Sequence, residues 1–395
     1  MSSKGHIKIT ILGKEGKGIS MAEKFSLKDE LFNPKKVHQI ASEIKEAYAP
    51  FEQEAFEKEV TDKFGELELK ERIAHIRDMF RKYLPSDYVE ATNILLKAQP
   101  HELDSKKTDD DFGEFIYASY GDFVVTFGCT EEHLKFSLNA LRKMTKRFTV
   151  EYAIRDFINN FPEQSFEMLE ACSLSDNYHE RRLASEGCRP KLPWGKKLNT
   201  EYARPISILD NLYMDKTRFV TRSVANHLND IAKVDASLVL KTLKRWKNSK
   251  KQEVKEMGFI ISHSLRTLVK DGNVEALALL GYSSNPSIEV QNFRVESLEV
   301  KVGEALEFSF DIEAQADEAL MVDYVLYFQT KAGKLTPKVH KIKKLKLSRG
   351  ALLKVSKKHL FRANMTTRKL YEGLHRMAIQ INGKVYGESL FWLKK

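Results

Sequence analysis

The spacing of apolar residues between about residue 27 and residue 281 is the spacing of helices that bury one face. In the first stretch, Val37, Ile40, Ile44 and Ala47 are three or four positions apart. Asn33 and Pro34 precede it as a helix start signal. Similar stretches follow, separated by short polar or proline-containing breaks. The pattern predicts a long, mainly α-helical region.

Four of these helical stretches align with one another on a single apolar position. The aligned residues are Ile154, Leu183, Val224 and Leu265, separated by 29, 41 and 41 positions. A unit of about 40 residues built from two helices is typical of HEAT and armadillo repeats. The spacing therefore predicts a HEAT-like solenoid in which one helix of each pair lines the concave face. A helical domain without repeats is the alternative.

Beyond residue 285 the pattern changes to an alternation of apolar and polar residues. The runs IEVQNFRVESLEVKV, DYVLYFQT and HRMAIQI show it, and Gly303, Gly333, Gly350 and Asn382–Gly383 divide the runs. About seven short strands over about 110 residues predict an all-β sandwich of immunoglobulin-like architecture. The Cys…Trp…Cys core of antibody domains is missing, so the likeness is to the architecture alone.

Positive charge accumulates towards the end of the chain. Of the 395 residues, 65 are Lys or Arg and 55 are Asp or Glu, a net charge of +10. Residues 331–395 hold 18 basic side chains and only two acidic ones. This asymmetry favours a polyanionic partner, nucleic acid before an anionic membrane. A basic surface without a partner is the alternative.

One predicted strand concentrates this charge on a lysine-rich face. Lys341, Lys343, Lys344 and Lys346 lie within the sequence VHKIKKLKLSR. Such a face suits a phosphate backbone. Lysines on an edge strand also prevent edge-to-edge association, and that is the competing interpretation.

Several functional classes find no support in the sequence. The three cysteines lack CxxC spacing, and such sparse cysteine fits a reducing cytoplasm. No apolar run is long enough for a membrane span. The segment GKEGKG, residues 13–18, fails the P-loop pattern. No Ser-His-Asp, Cys-His or metal-ligand set is recognisable, so no metal and no cofactor are expected.

Ionisable residues recur beside the aligned apolar positions between residues 147 and 270. The basic and polar ones include Arg155, Arg182, Arg222, Asn226, His263, Arg266 and Lys270. An irregular segment, SEGCRPKLPWG, interrupts the helices and offers Arg189, Lys191 and Trp194 for contacts with phosphates and a base or sugar. Acidic residues stand among them: Glu151, Glu186 and Asp230. Carboxylates repel a polyanion, so they indicate a positive charge that develops during a reaction. Glu–Arg pairs on a solvated helix face are the alternative.

The same segments resemble the AlkC family of bacterial DNA alkylation-repair glycosylases, within the AlkC/AlkD superfamily of HEAT-like repeat proteins. The matching stretches are MAEKFSLKDELFNPKKVHQIASEI, TVEYAIRDFI, RRLASEGCRPKLPWG, SVANHLNDIAK and SHSLRTLVKDGNVEALALLGY. The likeness divides the chain into an N-terminal extension (residues 1–20), a repeat domain (21–284) and an immunoglobulin-like domain (285–395). Two positions depart from the family pattern: Asp156, where many relatives have proline, and Cys188, where threonine is common.

The resemblance implies roles for the residues that match the family motifs. Glu151, Glu186 and Asp230 would be the catalytic carboxylates. The DNA-binding set would be Arg155, Arg182, Arg189, Lys191, Trp194, Arg222, Asn226, His263, Arg266 and Lys270, together with Lys341, Lys343, Lys344 and Lys346. Trp194 would pack against the nucleotide that carries the lesion.

The activity implied is that of a monofunctional DNA glycosylase. It would hydrolyse the N-glycosidic bond of cationic alkylated bases (3-methyladenine, 3-methylcytosine and 1-methyladenine) in double-stranded DNA, as a monomer and without base flipping. Two alternatives remain open. A non-catalytic DNA-binding scaffold would bind DNA more tightly once the carboxylates lost their charge, and a protein–protein adaptor would bind little DNA.

Overall fold

The fold combines an α-helical part with a β-sandwich. The computed structural model describes residues 26–104, 111–363, 365 and 368–395. The predicted extension, residues 1–20, lies outside the described residues. The last helix ends at Leu279 and the first strand begins at Ile288. Within the described ranges, no helix combines the length and the apolar character needed to cross a bilayer.

The helices begin where the sequence supplies capping residues. Asn33, Asp87, Asn177, Asp235 and Asn273 each accept a hydrogen bond from a backbone N–H of the first turn of the helix that follows. The helices are α1 (Leu27–Leu31), α2 (Pro34–Ala47), α3 (Gln53–Asp62), α4 (Leu69–Tyr83), α5 (Tyr88–Lys97), α6 (Ala118–Gly128), α7 (Leu134–Met144), α8 (Ile154–Asn160), α9 (Pro162–Ser173), α10 (Tyr178–Glu186), α11 (Ile206–Leu212), α12 (Arg218–Ala232), α13 (Ala236–Ser249), α14 (Val254–Ser264), α15 (Arg266–Lys270) and α16 (Val274–Leu279).

The helices stack in two layers with the predicted repeat. In one layer α10 packs on α12 and α12 on α14, while in the other α9 packs on α11. Hydrogen bonds between equivalent helices join residues about one repeat apart. The Ser223 and Ser185 hydroxyls are hydrogen-bonded across 38 residues, and the Asn211 amide donates to the Ser173 hydroxyl, also across 38. The predicted HEAT-like solenoid is confirmed, because the structural spacing matches the 41-residue spacing of the aligned apolar positions.

The sandwich has eight strands in the described residues, one more than the roughly seven predicted. The strands are β1 (Ile288–Val295), β2 (Glu299–Lys301), β3 (Ala305–Ala314), β4 (Glu318–Gln329), β5 (Leu335–Leu347), β6 (Leu352–Leu360), β7 (Gly373–Ile381) and β8 (Lys384–Lys394). One sheet has the order β1-β3-β6 and the other β2-β8-β7-β4-β5. Alternate residues such as Phe308, Phe310 and Leu326 fill the space between the sheets.

The four strand lysines do not share one face, which corrects the prediction. A β-bulge in the pairing of β4 with β5 places Lys341 opposite Asp323 and Lys343 opposite Val322. Val322 points into the sandwich core, so Lys343 lies on that side of the sheet. Lys344 and Lys346 pair with Met321 and Ala319 and share the outer face with Lys341. All four are exposed, because β5 is the edge strand.

The outer face of the five-stranded sheet meets the end of the solenoid. Met321 of β4 belongs to the same buried apolar cluster as the helices. The Asn382 amide donates to the Ser283 carbonyl at 2.9 Å. Lys344 Nζ lies 5.8 Å from the centre of the Tyr282 ring. These contacts set the outer-face lysines beside the C-terminal repeats of the solenoid.

Candidate active site

Three buried carboxylates lie in neighbouring repeats. Glu151 precedes α8, Glu186 is the last residue of α10, and Asp230 lies in the last turn of α12. They are 7%, 5% and 3% exposed. Burying a carboxylate is costly unless a positive partner and hydrogen bonds accompany it. The partners of each carboxylate therefore decide what it can do.

Arg189 joins Glu186 to Asp230. Its Nη1 donates to Glu186 Oε1, and its Nε and Nη2 donate to Asp230 Oδ2 at 3.2 and 3.0 Å. The Ser223 hydroxyl donates to Glu186 Oε2 at 2.5 Å, and Lys233 Nζ lies 3.2 Å from Asp230 Oδ1. One guanidinium thus holds two carboxylates from successive repeats in a fixed arrangement.

Glu151 is held by a different arginine. Arg182 Nη1 donates to Glu151 Oε2 at 2.5 Å and to the Thr149 hydroxyl oxygen at 3.0 Å. The Thr149 hydroxyl in turn donates to Glu151 Oε2. The Arg182 guanidinium stacks 4.4 Å above the Phe219 ring of α12. The result is a third fixed carboxylate, on the repeat before that of Glu186.

The charges of the site keep Glu186 ionised. Burial raises the pKa of its carboxyl, but the Arg189 and Arg182 guanidiniums lower that pKa by more, so it lies below the usual value for glutamate. Tyr152 is next in the chain to Glu151, and burial together with the Glu151 and Glu186 charges raises the pKa of its phenol. The arrangement can therefore present negative charge and a neutral hydroxyl to a reacting group.

Arg155 is not a phosphate ligand, which corrects the prediction. Its side chain is 0% exposed. It donates to three backbone carbonyls of the irregular segment, those of Gly187, Arg189 and Lys196, at 3.0, 2.9 and 2.6 Å. Arg155 therefore fixes the segment that carries Arg189. Arg189 is likewise occupied by the two carboxylates, which leaves it no role as a phosphate ligand in this arrangement.

Arg155→Lys is expected to lower the free energy of unfolding by about 3 kcal/mol, because one ammonium cannot serve three separate buried carbonyls. Urea unfolding measures the loss. Arg204→Lys, which alters an exposed pair with Glu163, should change stability by no more than about 1 kcal/mol. The salt dependence of DNA binding should be the same in Arg155→Lys as in the wild type; a shallower dependence would restore Arg155 as a phosphate ligand.

Trp194 is displayed by a tight turn. The Gly195 N–H donates to the Leu192 carbonyl at 3.0 Å, and Pro193 takes the second position of the turn. Trp194 takes the third position with φ of 64°, in the left-handed region where glycine or asparagine is usual. The Lys70 ammonium donates to the Trp194 carbonyl at 3.0 Å. A bulky residue is thus kept in a strained conformation, a feature that clusters at functional sites.

The other predicted DNA-binding residues of the solenoid lie on its C-terminal repeats. Asn226 Oδ1 accepts from Arg266 Nη2 at 3.0 Å and lies 2.9 Å from His263 Nε2. Burial, with the Arg266 and Arg222 charges, lowers the pKa of His263 to about 4, so this imidazole is neutral at physiological pH. Lys270 is exposed at the junction with the sandwich, and Lys191 is exposed on the irregular segment.

Four residues that contact the carboxylates or their arginines were not predicted: Thr149, Phe219, Ser223 and Lys233. The repeat period contained a signal for one of them, since Ser223 follows Glu186 by 37 positions, close to one repeat. Thr149 and Phe219 carry no comparable pattern. Among the described residues, no group of three or more His, Cys, Asp or Glu side chains is arranged to hold a metal ion.

Comparison with known proteins gives consistent matches over both parts of the chain. Residues 289–395 match the family model described as "Uncharacterised protein YhaZ, C-terminal Ig-like domain". The chain is 33% identical over 360 residues to the uncharacterized protein YhaZ of Bacillus subtilis (strain 168), covering 90% of this chain and 96% of that protein. The structure is similar to that of Pseudomonas fluorescens alkylpurine DNA glycosylase AlkC bound to DNA containing an abasic site analog. The TM-score is 0.83 at 31% identity, over 94% of this chain and 100% of the other.

Proposed function

Because the chain belongs to the family of AlkC and YhaZ, we propose that it is a DNA glycosylase that repairs alkylated bases. The observation that carries the proposal is the pair of buried carboxylates, Glu186 and Asp230, held together by Arg189. The likeness to AlkC supports repair of alkylpurines in duplex DNA. The proposed substrates are cationic bases: 3-methyladenine, 3-methylcytosine and 1-methyladenine.

The chemistry needs little acid catalysis. An alkylated cationic base leaves as a neutral molecule when its bond to C1′ breaks, and the electron pair of that bond stays with the base. The deoxyribose becomes an oxocarbenium-like cation, which fixed negative charge stabilises. Water then adds its oxygen to C1′ and gives up a proton. Carboxylates near the sugar can both stabilise this cation and orient the water.

The three carboxylates are suited to different parts of this reaction. Glu186 is ionised and bonded on both oxygens, so it supplies fixed charge. Asp230 has one oxygen shared with Arg189 and the other with Lys233. Glu151 accepts both of its hydrogen bonds on Oε2. We propose that Glu186 and Asp230 stabilise the sugar cation and that Glu151 orients the water.

DNA would lie along the layer formed by α10, α12 and α14 and against the sandwich. Arg182, Lys191, Arg222, Asn226, Arg266 and Lys270 would meet phosphates, and His263, whose Nε2–H donates to Asn226 Oδ1, would hold Asn226 in place. Trp194 would pack on the lesion-bearing nucleotide. The carboxylates would reach the sugar from the backbone side, so base flipping would not be required. We propose that one monomer suffices.

The ion pairs themselves favour one alternative, a DNA-binding scaffold without catalysis. In that case Arg182 and Arg189 would only neutralise structural carboxylates, and the groove would bind DNA electrostatically. Neutralising Glu151 or Asp230 would then tighten DNA binding, with no base release to lose. In a glycosylase the same variants bind DNA at least as well and stop releasing bases. Binding and base release measured on the same protein samples separate the two.

The outer-face lysines of β5 should contribute to DNA affinity through counterion release. Changing Lys341, Lys344 and Lys346 together to glutamine should weaken binding and reduce the slope of log K against log [salt] by about 2 to 3, since each phosphate contact contributes about 0.9. Lys354, Lys357 and Lys358 of β6, on the other sheet, give a matched triple variant that should retain the wild-type slope. Equal slopes in both triple variants would exclude β5 from the DNA interface.

A further inference from the structure

A cavity of about 330 Å³ opens beside the carboxylate site. Its walls come from α4, α6, residues 148–156 and residues 194–196. Thr149 and Tyr152, the residues on either side of Val150 and Glu151, form part of one wall. Because the Thr149 hydroxyl donates to Glu151, the cavity and the site share a side chain.

The cavity is lined mostly by apolar and aromatic groups. Phe115, Phe148, Tyr152 and Trp194 provide aromatic surface, and Ala118 and Val125 provide aliphatic surface. Small-molecule sites are typically about 300 to 1,000 Å³ and mostly apolar, with a few polar groups that fix orientation. A volume at the low end suits a single flat heterocycle better than a whole nucleotide.

Two carboxylates supply the acidic groups of the lining, beside the basic side chains of Lys70, Arg77 and Lys196. Asp122 Oδ2 accepts from Arg77 Nη1 at 2.9 Å, and Asp156 Oδ1 accepts from Lys196 Nζ at 2.5 Å. An ionised carboxylate has about four acceptor positions, so each retains capacity to accept from an amino group. Burial raises the pKa of Asp122 against the effect of Arg77. An amino-bearing aromatic ring therefore finds both stacking surface and hydrogen-bond acceptors here.

The protein holds the mouth of this cavity in a fixed shape. Trp194 lines it from a strained backbone conformation, and Lys70 binds the Trp194 carbonyl. Arg155, fully buried, holds the Lys196 carbonyl on the other side of the turn. Hydrogen bonds to the carbonyls of Trp194 and Lys196 therefore hold the aromatic wall of the cavity in place.

We propose that this cavity binds the free alkylated base once its glycosidic bond has broken. This rests on the proposed glycosylase function. The leaving base is neutral and flat, with a methyl group and an amino group, which matches apolar aromatic walls that carry two carboxylates. Retaining the base moves it away from the sugar and separates it from the abasic DNA, and its departure becomes a separate step of turnover.

The test is calorimetric titration of the full chain, without DNA, with 3-methyladenine. The wild type should bind it, and the base should inhibit turnover at matching concentrations. Ala118→Phe fills the cavity, and Thr126→Phe blocks it from an exposed position on α6 that tolerates a large side chain. Both should lower the affinity for the free base at least tenfold. Ala171→Phe, on the exposed surface of α9, is the matched control and should bind like the wild type.

Two outcomes overturn the cavity proposal alone. In the first, the wild type releases bases from DNA yet does not bind the free base. In the second, both cavity variants bind the free base as tightly as the control does. Absence of base release by the wild type is a different result, because it overturns the proposed function itself. Circular dichroism of each variant establishes that it is folded, and Thr126→Phe keeps the test valid if Ala118→Phe does not fold.

Discussion

Glu186→Gln is expected to lower the rate of base release by about 10² to 10³-fold, the usual effect of removing one fixed group that stabilises transition-state charge. Glutamine keeps the size: its Oε1 can still accept from Arg189, and its amide nitrogen can donate to the Ser223 hydroxyl oxygen. The substitution removes the negative charge of Glu186, which Arg189 and Arg182 stabilise. DNA affinity should be equal or higher, because a charge that repels phosphates is lost. Single-turnover release from methylated duplex DNA measures the rate.

Glu180→Gln is the matched control for this variant. Glu180 lies on the same helix, is also buried, and is also paired with basic residues, Arg142 and Lys146. Those partners lie outside the carboxylate site, so base release per folded molecule should stay within about threefold of the wild type, less than 1 kcal/mol in activation free energy. If Glu186→Gln and Glu180→Gln lose activity to the same extent, the effect of Glu186 is structural and not catalytic.

Arg189→Ala is expected to lower the free energy of unfolding by about 3 to 5 kcal/mol, the usual result of removing one partner from a buried ion pair. The variant leaves Glu186 and Asp230 buried without the guanidinium that joins them. Urea unfolding at neutral pH measures the loss. Arg245→Ala, which breaks a largely exposed pair with Asp210, should cost no more than about 1 kcal/mol.

The pH dependence of this loss has a definite sign. In Arg189→Ala, burial without this arginine raises the pKa of the Glu186 carboxyl above its value in the unfolded chain. A group whose pKa is raised by folding disfavours the folded state at a pH above that pKa, and this penalty disappears as the pH falls. The difference in the free energy of unfolding between wild type and variant should therefore decrease as the solution is acidified. A difference that stays constant or increases would contradict the assignment of the penalty to Glu186.

The helical part of the fold could be predicted because its signals are periodic. Ile154, Leu183, Val224 and Leu265 are all buried, and the 41-residue spacing of the last three matches the packing of α10 on α12 and of α12 on α14. Alternation along strands predicted the sandwich in the same way. The bulge between Lys341 and Lys343 was not predictable, because one extra residue in a strand leaves the local composition unchanged while it reverses every later side chain.

The site was predictable in its residue types but not in its connections. Glu151, Glu186 and Asp230 recur beside the aligned positions, and all three are buried in neighbouring repeats. Whether an arginine faces a phosphate, a carboxylate or a carbonyl depends on long-range packing. Arg155 and Arg189 resembled surface cations in the sequence, yet one holds backbone carbonyls and the other joins two acids.

Release of free 3-methyladenine and 3-methylcytosine from methylated duplex DNA, by the purified full chain, tests the central claim most directly. Chromatography identifies the released bases, and binding to the same DNA is measured in parallel. The carboxylate site predicts release by the wild type, slowed by about 10² to 10³-fold in Glu186→Gln while DNA binding persists. Tight DNA binding without release of either base would contradict the proposed glycosylase function. It would support the alternative, a DNA-binding scaffold without catalysis.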